Sequence, residues 1–76
     1  MSLQLVRRDL EKEILTLLSE KTYGLSIEEI AEFLQVNRAT AAKYLFAMES
    51  SEIIAARPIG KAKLHYLKKN YETKHD

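Results

Sequence analysis

The chain has 76 residues, no cysteine and a formal net charge of +1. This length corresponds to one domain or a fragment of one, and a hydrophobic fraction of 46% is enough for a folded core. The lack of cysteine excludes disulfides and thiolate metal sites. Because the sequence has no signal peptide and no run of 18 apolar residues, it predicts a single cytoplasmic domain over residues 1–76, with no membrane span.

The charge is distributed unevenly along the chain. Residues 1–35 carry four Lys/Arg and seven Asp/Glu, a net charge of −3, whereas residues 36–76 carry eight and four, a net charge of +4. A basic half indicates a polyanionic partner, because phosphate contacts dominate the affinity of proteins for nucleic acids. A solvated, dipolar surface explains the same distribution equally well.

The first half of the chain predicts two helices. The first begins at residue 3 or residue 9 and ends at Glu20, because apolar side chains recur at steps of three and four: Leu3, Val6, Leu10, Ile14, Leu17 and Leu18. Gly24 then supplies a turn. A second helix begins after Ser26, whose spacing to Glu29 is that of a capping box, and ends near Leu34.

A third helix follows almost immediately. Asn37 is a favourable N-cap, and the inward-facing stripe of the helix is predicted to be Ala41, Tyr44, Leu45 and Met48. Only Gln35 and Val36 separate the second helix from this N-cap, which is the spacing of a helix-turn-helix.

After the third helix the pattern changes to β-structure. Two β-prone runs, Ile53–Arg57 and Ala62–Leu67, predict a hairpin with a basic tip. Pro58 is expected at the first central position of a type I turn, and Gly60 at the left-handed position that follows it. The polar tail, residues 68–76, is expected to fray or to form a short helix, so the core of the domain covers about residues 9–67.

This order of elements, with "IEEIAEFLQVNRATAAKYL" at its centre, resembles the winged helix-turn-helix family of transcription regulators over roughly residues 9–67. The resemblance implies an α+β, mostly α fold, in which the third helix enters the major groove of DNA and the hairpin wing contacts the backbone or the minor groove. The residues that carry the match are Ile30, Ala31, Leu34, Val36, Ala41 and Leu45.

Two positions depart from the family pattern. The turn between the second and third helices usually has glycine where this chain has Gln35, and the third helix usually ends in glycine where this chain has Glu52. The left-handed backbone expected at Gln35 costs a residue other than glycine roughly 1 kcal/mol.

The outer face of the third helix is the predicted reading surface. Arg38 is suited to guanine, Ala39 or Ala42 to a thymine methyl, and other polar residues to phosphates. The predicted DNA-binding residues are Asn37, Arg38, Ala39, Thr40, Ala42, Lys43, Arg57, Lys61 and Lys63. The alternatives are that alanine simply favours the helix and that the wing lysines only protect an exposed strand edge from aggregation.

The remaining candidates for chemistry are few. Tyr44 and Tyr66 are expected to face the core, and His65 is expected at the surface. No metal site and no cofactor is expected. Because the sequence has no glycine-rich phosphate loop and no nucleophile triad, it does not predict an enzyme.

A second function class stays open, because some winged helices are protein-interaction or assembly modules. That role would use the N-terminal segment and the acidic second helix. The third helix has no acidic residue from Arg38 through Met48, which favours double-stranded DNA as the partner. A homodimer is also predicted, through the N-terminal residues Leu3, Leu5 and Val6, with Tyr71 and the tail as further contacts.

Overall fold

The computed structural model describes residues 8–70, which form three helices followed by a two-stranded antiparallel hairpin. This confirms the α+β, mostly α, winged helix-turn-helix architecture. The elements are α1 (Leu10–Glu20), α2 (Ile27–Leu34), α3 (Arg38–Ser50), β1 (Ile54–Ile59) and β2 (Ala62–Leu67). Within this range, no helix has the length and hydrophobicity needed to cross a membrane.

Each helix begins at a side chain that caps its first turn. The Asp9 carboxylate accepts a hydrogen bond from the first turn of α1 at 3.1 Å, so this helix begins at the later of its two expected positions. Ser26 and Glu29 form the predicted capping box of α2. At α3, Asn37 Oδ1 accepts from the backbone N–H of Thr40 at 2.7 Å. These caps satisfy N–H groups that have no partner inside the helix.

The two residues that replace glycine both adopt the left-handed backbone, as predicted for Gln35. Gln35 has φ +57° at the end of α2, and Glu52 has φ +64° after α3. In each case the N–H of the next residue bonds to a carbonyl five positions before it, at 3.0 Å in α2 and 2.9 Å in α3. This is the Schellman arrangement, and its hydrogen bonds hold the two turns in place without glycine.

The core lies between the three helices and the base of the hairpin. The predicted inward stripe of α3 is confirmed, since three of its members are buried and Tyr44 packs against the core. Tyr66 is also buried, as predicted. The central cluster consists of Ile14, Leu18, Leu25, Ile30, Leu45, Met48 and Ile54.

The turn after α1 is bonded directly to the wing. Leu25 N–H donates to the carbonyl of His65 at 3.1 Å, and His65 N–H donates to the carbonyl of Leu25 at 2.7 Å. The His65 Nδ1 lies 3.0 Å from the same Leu25 oxygen. The prediction that His65 is a surface residue is therefore wrong: it is 5% exposed, because the bridge covers this edge of β2.

The predicted position of Pro58 is also wrong. Pro58 lies within β1 opposite Lys63, and pairing continues to Ile59 and Ala62, so the turn consists of Gly60 and Lys61 alone. Gly60 has the expected left-handed backbone, with φ +60°. Positive φ at Gly60 and not at Lys61 is the pattern of a type II′ turn.

Proline is tolerated in β1 because of the register. His65 directs its N–H and carbonyl to Leu25, away from β1, so its pairing with Ala56 lacks hydrogen bonds. Pairs with and without hydrogen bonds alternate along an antiparallel ladder, so the pair of Pro58 and Lys63, two positions further along, also lacks hydrogen bonds. The missing N–H of proline therefore removes no bond of the hairpin.

Residues 1–7 and 71–76 lie outside the described range. Residues 68–70 return to helix. The residues assigned to the predicted dimer contact, Leu3, Leu5, Val6 and Tyr71, lie outside the described range.

Burial of His65 predicts a pH dependence of folding. Burial lowers the pKa of His65 below its ordinary value, while the hydrogen bond to Leu25 opposes the shift, as do Glu49 and Glu28. Because a carbonyl only accepts, Nδ1 carries the proton of the neutral ring. As the pH falls, His65 is therefore protonated in the unfolded chain before it is protonated in the folded chain. We expect full stability above the ordinary histidine pKa and a loss as the pH falls below it.

This loss is measured by urea denaturation at about pH 7.5 and about pH 5.5. His65→Asn keeps an N–H donor but does not titrate, so the variant should lose less stability over this interval than the unmodified chain. An equal loss in both proteins would contradict the assignment to His65.

Candidate nucleic-acid interface

The outer face of α3 is presented to solvent. Arg38, Ala39, Lys43 and Phe46 are exposed, and Ala42 is half-buried. This orientation follows from the inward stripe of the same helix. Residues three or four positions apart share one face of a helix, so the residues between the members of the inward stripe point to the opposite face. The side chains predicted to read base edges are therefore accessible.

A groove of about 320 Å³ separates α3 from the wing. Four predicted DNA-binding residues line it: Arg38 and Ala42 from α3, and Lys61 and Lys63 from the hairpin. The structure thus brings the start of the third helix and the tip of the wing to one concave surface.

The other predicted site residues do not line this groove. Asn37 uses its side-chain oxygen for the α3 cap, and Thr40 is half-buried one turn into the helix. Arg57 pairs with Leu64, so alternation along the strand places it on the opposite face of the hairpin from Lys63. Two further predicted residues, Ala39 and Lys43, are exposed on α3 outside the groove.

Two carboxylates in the groove were missed by the sequence reasoning. Glu28 of α2 accepts a hydrogen bond from Arg38 Nε at 3.2 Å, and Glu49 lies 3.8 Å from the Lys63 ammonium. Although Arg38 through Met48 contains no acidic residue, the groove that this helix lines therefore does contain carboxylates. Glu49 follows Ala42 by seven residues, a helical spacing that could have revealed it, whereas no local signal connects Glu28 to Arg38.

Glu28 is charged at neutral pH. Its pKa is lowered first by its own backbone N–H at the start of α2, and also by the hydrogen bond from Arg38, while partial burial opposes both effects. In the free protein, two of the groove's three cations are thus paired with carboxylates. These pairs are exposed, so they are weak, and a competing anion can replace the carboxylates.

No group of three or more His, Asp or Glu side chains in residues 8–70 is arranged to hold a metal ion. The groove is a surface of three cations, two carboxylates, apolar side chains and one exposed aromatic ring.

The family model for winged helix-turn-helix DNA-binding domains matches residues 7–55 of the chain. The chain belongs to this DNA-binding family. The matched segment contains all three helices and the start of β1. A search of curated proteins finds no match.

Solved structures support the same fold. Two mutants of ZitR from Lactococcus lactis each match with a TM-score of 0.72 and 22% identity, covering 99% of this winged helix and 57% of the ZitR chain. A ZitR mutant in complex with DNA matches with a TM-score of 0.71 and 23% identity, covering 93% and 54%. This winged helix therefore spans a little over half the length of the ZitR chains it resembles.

Proposed function

We propose that this protein binds double-stranded DNA in a sequence-specific manner and regulates transcription, with α3 in the major groove and the wing on the phosphate backbone. The observation that carries the proposal is the shared groove, in which Arg38 of α3 faces Lys61 and Lys63 of the hairpin. A ZitR mutant of the same fold is known in complex with DNA, which supports this mode of binding.

The two elements are assigned different roles. Arg38 is the first residue of α3, and residues at the N-terminus of a recognition helix contact base edges. Its planar guanidinium can bond guanine at two points. Ala39 and Ala42 are small enough to let the helix approach the bases, whereas Asn37, Thr40 and Lys43 are assigned to phosphates at the edge of the groove.

The wing cations are assigned to phosphates. Lys61 lies in the turn and Lys63 near the start of β2, and both ammonium groups are on exposed side chains. Arg57, on the other face of the hairpin, contacts the backbone only if the wing lies across a strand of the duplex. These contacts supply affinity without sequence information.

The proposal is tested by selecting a preferred duplex from a randomised library with the full chain, then measuring its affinity by fluorescence anisotropy over a salt series. We expect tighter binding to the selected duplex than to a scrambled duplex of equal composition. The logarithm of the affinity should fall linearly with the logarithm of the salt concentration. Equal, salt-independent affinity for both duplexes would overturn the proposal.

Neutralising the wing should weaken binding to every sequence alike. For the double variant Lys61→Ala/Lys63→Ala, we expect a reduced affinity for both the selected and the scrambled duplex, with the salt slope lowered by about one unit for each lost phosphate contact. Lys12→Ala removes an exposed cation of α1, outside the groove, and is the matched control. A loss confined to the selected duplex would contradict the phosphate role.

A protein-interaction function remains the alternative, and one observation favours it. Phe33 of the acidic helix α2 is 54% exposed and lines a depression together with Leu17 and Leu34, and a contiguous apolar patch of this kind is typical of a contact with a protein partner. In that case Phe33→Ala, and not a change in α3, would abolish binding of the chain to its protein partner.

The assembly state forms a further part of the proposal. Small regulators usually read two-fold DNA sites as dimers, so we retain the predicted homodimer through Leu3, Leu5 and Val6. A cytoplasmic, non-catalytic role also remains a prediction.

A further inference from the structure

Phe46 is the most exposed large apolar side chain in residues 8–70. Its exposed fraction is 73%, against 60% for Tyr23, 54% for Phe33 and 47% for Ile59. It stands on the outer face of α3 and also lines the groove toward the wing. An aromatic ring left in water on a predicted reading surface is a group that gains free energy when a partner covers it.

Phe46 belongs to an apolar stripe on the outer face of α3. Ala39, Ala42 and Phe46 follow one another at steps of three and four, so their side chains lie along one side of the helix. The opposite side of α3 fills the core with Ala41 and Leu45. This helix is therefore apolar on two faces, and only the inner face is covered by the described residues.

The charges around the stripe identify the partner that would cover it. Arg38 and Lys43 lie beside it on α3, and Lys61 and Lys63 line the groove on the side of the wing. Cations around a convex helix face suit a polyanion with a groove wide enough to admit a helix, which is the major groove of B-DNA. Glu28 and Glu49 pair with Arg38 and Lys63 at the edge of this surface, whereas Lys61 and Lys43 have no such pair among the described residues. An apolar protein partner would desolvate these charges without supplying the anions that phosphates supply.

In the major groove, the apolar group that a base pair presents is the C5-methyl of thymine. We infer that Phe46, together with Ala42, contacts a thymine methyl and thereby selects an A·T pair at one position of the site. This inference rests on the proposed DNA-binding function. It makes Phe46 a specificity-determining residue and predicts that DNA containing uracil in place of thymine is a poorer ligand.

The test uses the full chain and its selected duplex. Each thymine of that duplex is replaced in turn by deoxyuridine, which removes the methyl group and keeps every hydrogen-bonding group. We expect one or two positions at which the unmodified chain loses affinity about fourfold, the effect of one methyl group removed from an apolar contact. Phe46→Ala should show a much smaller difference between the thymine and uracil forms of those positions, since only Ala42 still contacts the methyl group.

Two controls separate this result from other effects. Phe46→Leu keeps an apolar contact and should retain part of the discrimination. Phe33→Ala removes an exposed aromatic residue outside the groove and should leave the thymine preference unchanged. Because Phe46 is 73% exposed, its replacement should not unfold the domain.

The possible failures are distinguishable. If a preferred duplex is found but uracil affects the unmodified chain and Phe46→Ala equally, or affects neither, the thymine contact is overturned while the DNA-binding function stands. If no duplex is preferred and none binds in a salt-dependent manner, the proposed function fails, and the thymine contact fails with it.

Discussion

Replacing Arg38 by alanine is expected to weaken binding to the preferred duplex by about 1–3 kcal/mol and to flatten sequence preference at one base pair. Arg38 begins α3 and lines the groove that faces the wing. Its guanidinium can donate two parallel hydrogen bonds to guanine, a geometry that alanine cannot replace. Affinities for the four variants of that base pair, measured at one salt concentration, would show the loss.

The ion pair with Glu28 provides a control for this experiment. Arg38→Ala removes both the pair and the guanidinium, whereas Glu28→Gln removes only the negative partner. Both side chains are about two-thirds exposed, so neither change should unfold the domain. We expect Glu28→Gln to retain the base preference. If Arg38→Ala retained it too, with unchanged affinity, α3 would not be a reading helix, and the protein-interaction function would take precedence.

The largest expected effect on folding is that of Gly24→Ala, at about 2–5 kcal/mol. Gly24 is buried in the turn after α1 and has φ +92°. A Cβ added there would lie 2.7 Å from two ring atoms of Tyr66. The left-handed backbone costs alanine roughly 1–2 kcal/mol, and forcing the buried ring to move adds roughly 1–3 kcal/mol. Urea denaturation of the variant and the unmodified chain measures the sum.

Gly60→Ala is the matched control for Gly24→Ala. Gly60 also has positive φ, at +60°, but a Cβ added there would have no heavy atom within 4 Å. Its replacement should therefore cost only the backbone contribution, roughly 1–2 kcal/mol. Equal destabilisation by the two substitutions would show that contact with Tyr66 contributes nothing, and that the turn after α1 is not held closely against the wing.

The sequence by itself determined the helices, the caps of α2 and α3 and the inward face of α3. Ser26 and Asn37 cap these two helices as predicted, and the spacing of apolar residues identified which side of α3 enters the core. These signals are reliable because they operate between residues a few positions apart, where helix geometry fixes the distance. The same locality explains the correct assignment of left-handed backbone to Gln35.

The tertiary structure alone decided the features that depend on distant residues. His65 is buried because its backbone bonds to Leu25, 40 positions earlier in the chain. Glu28 enters the groove because the packing of α2 and α3 brings it to Arg38. Pro58 is accommodated in β1 through the register that the bridge to Leu25 imposes on β2. Contacts of this kind form only when separate helices and strands pack together, so no local pattern of residue types predicts them.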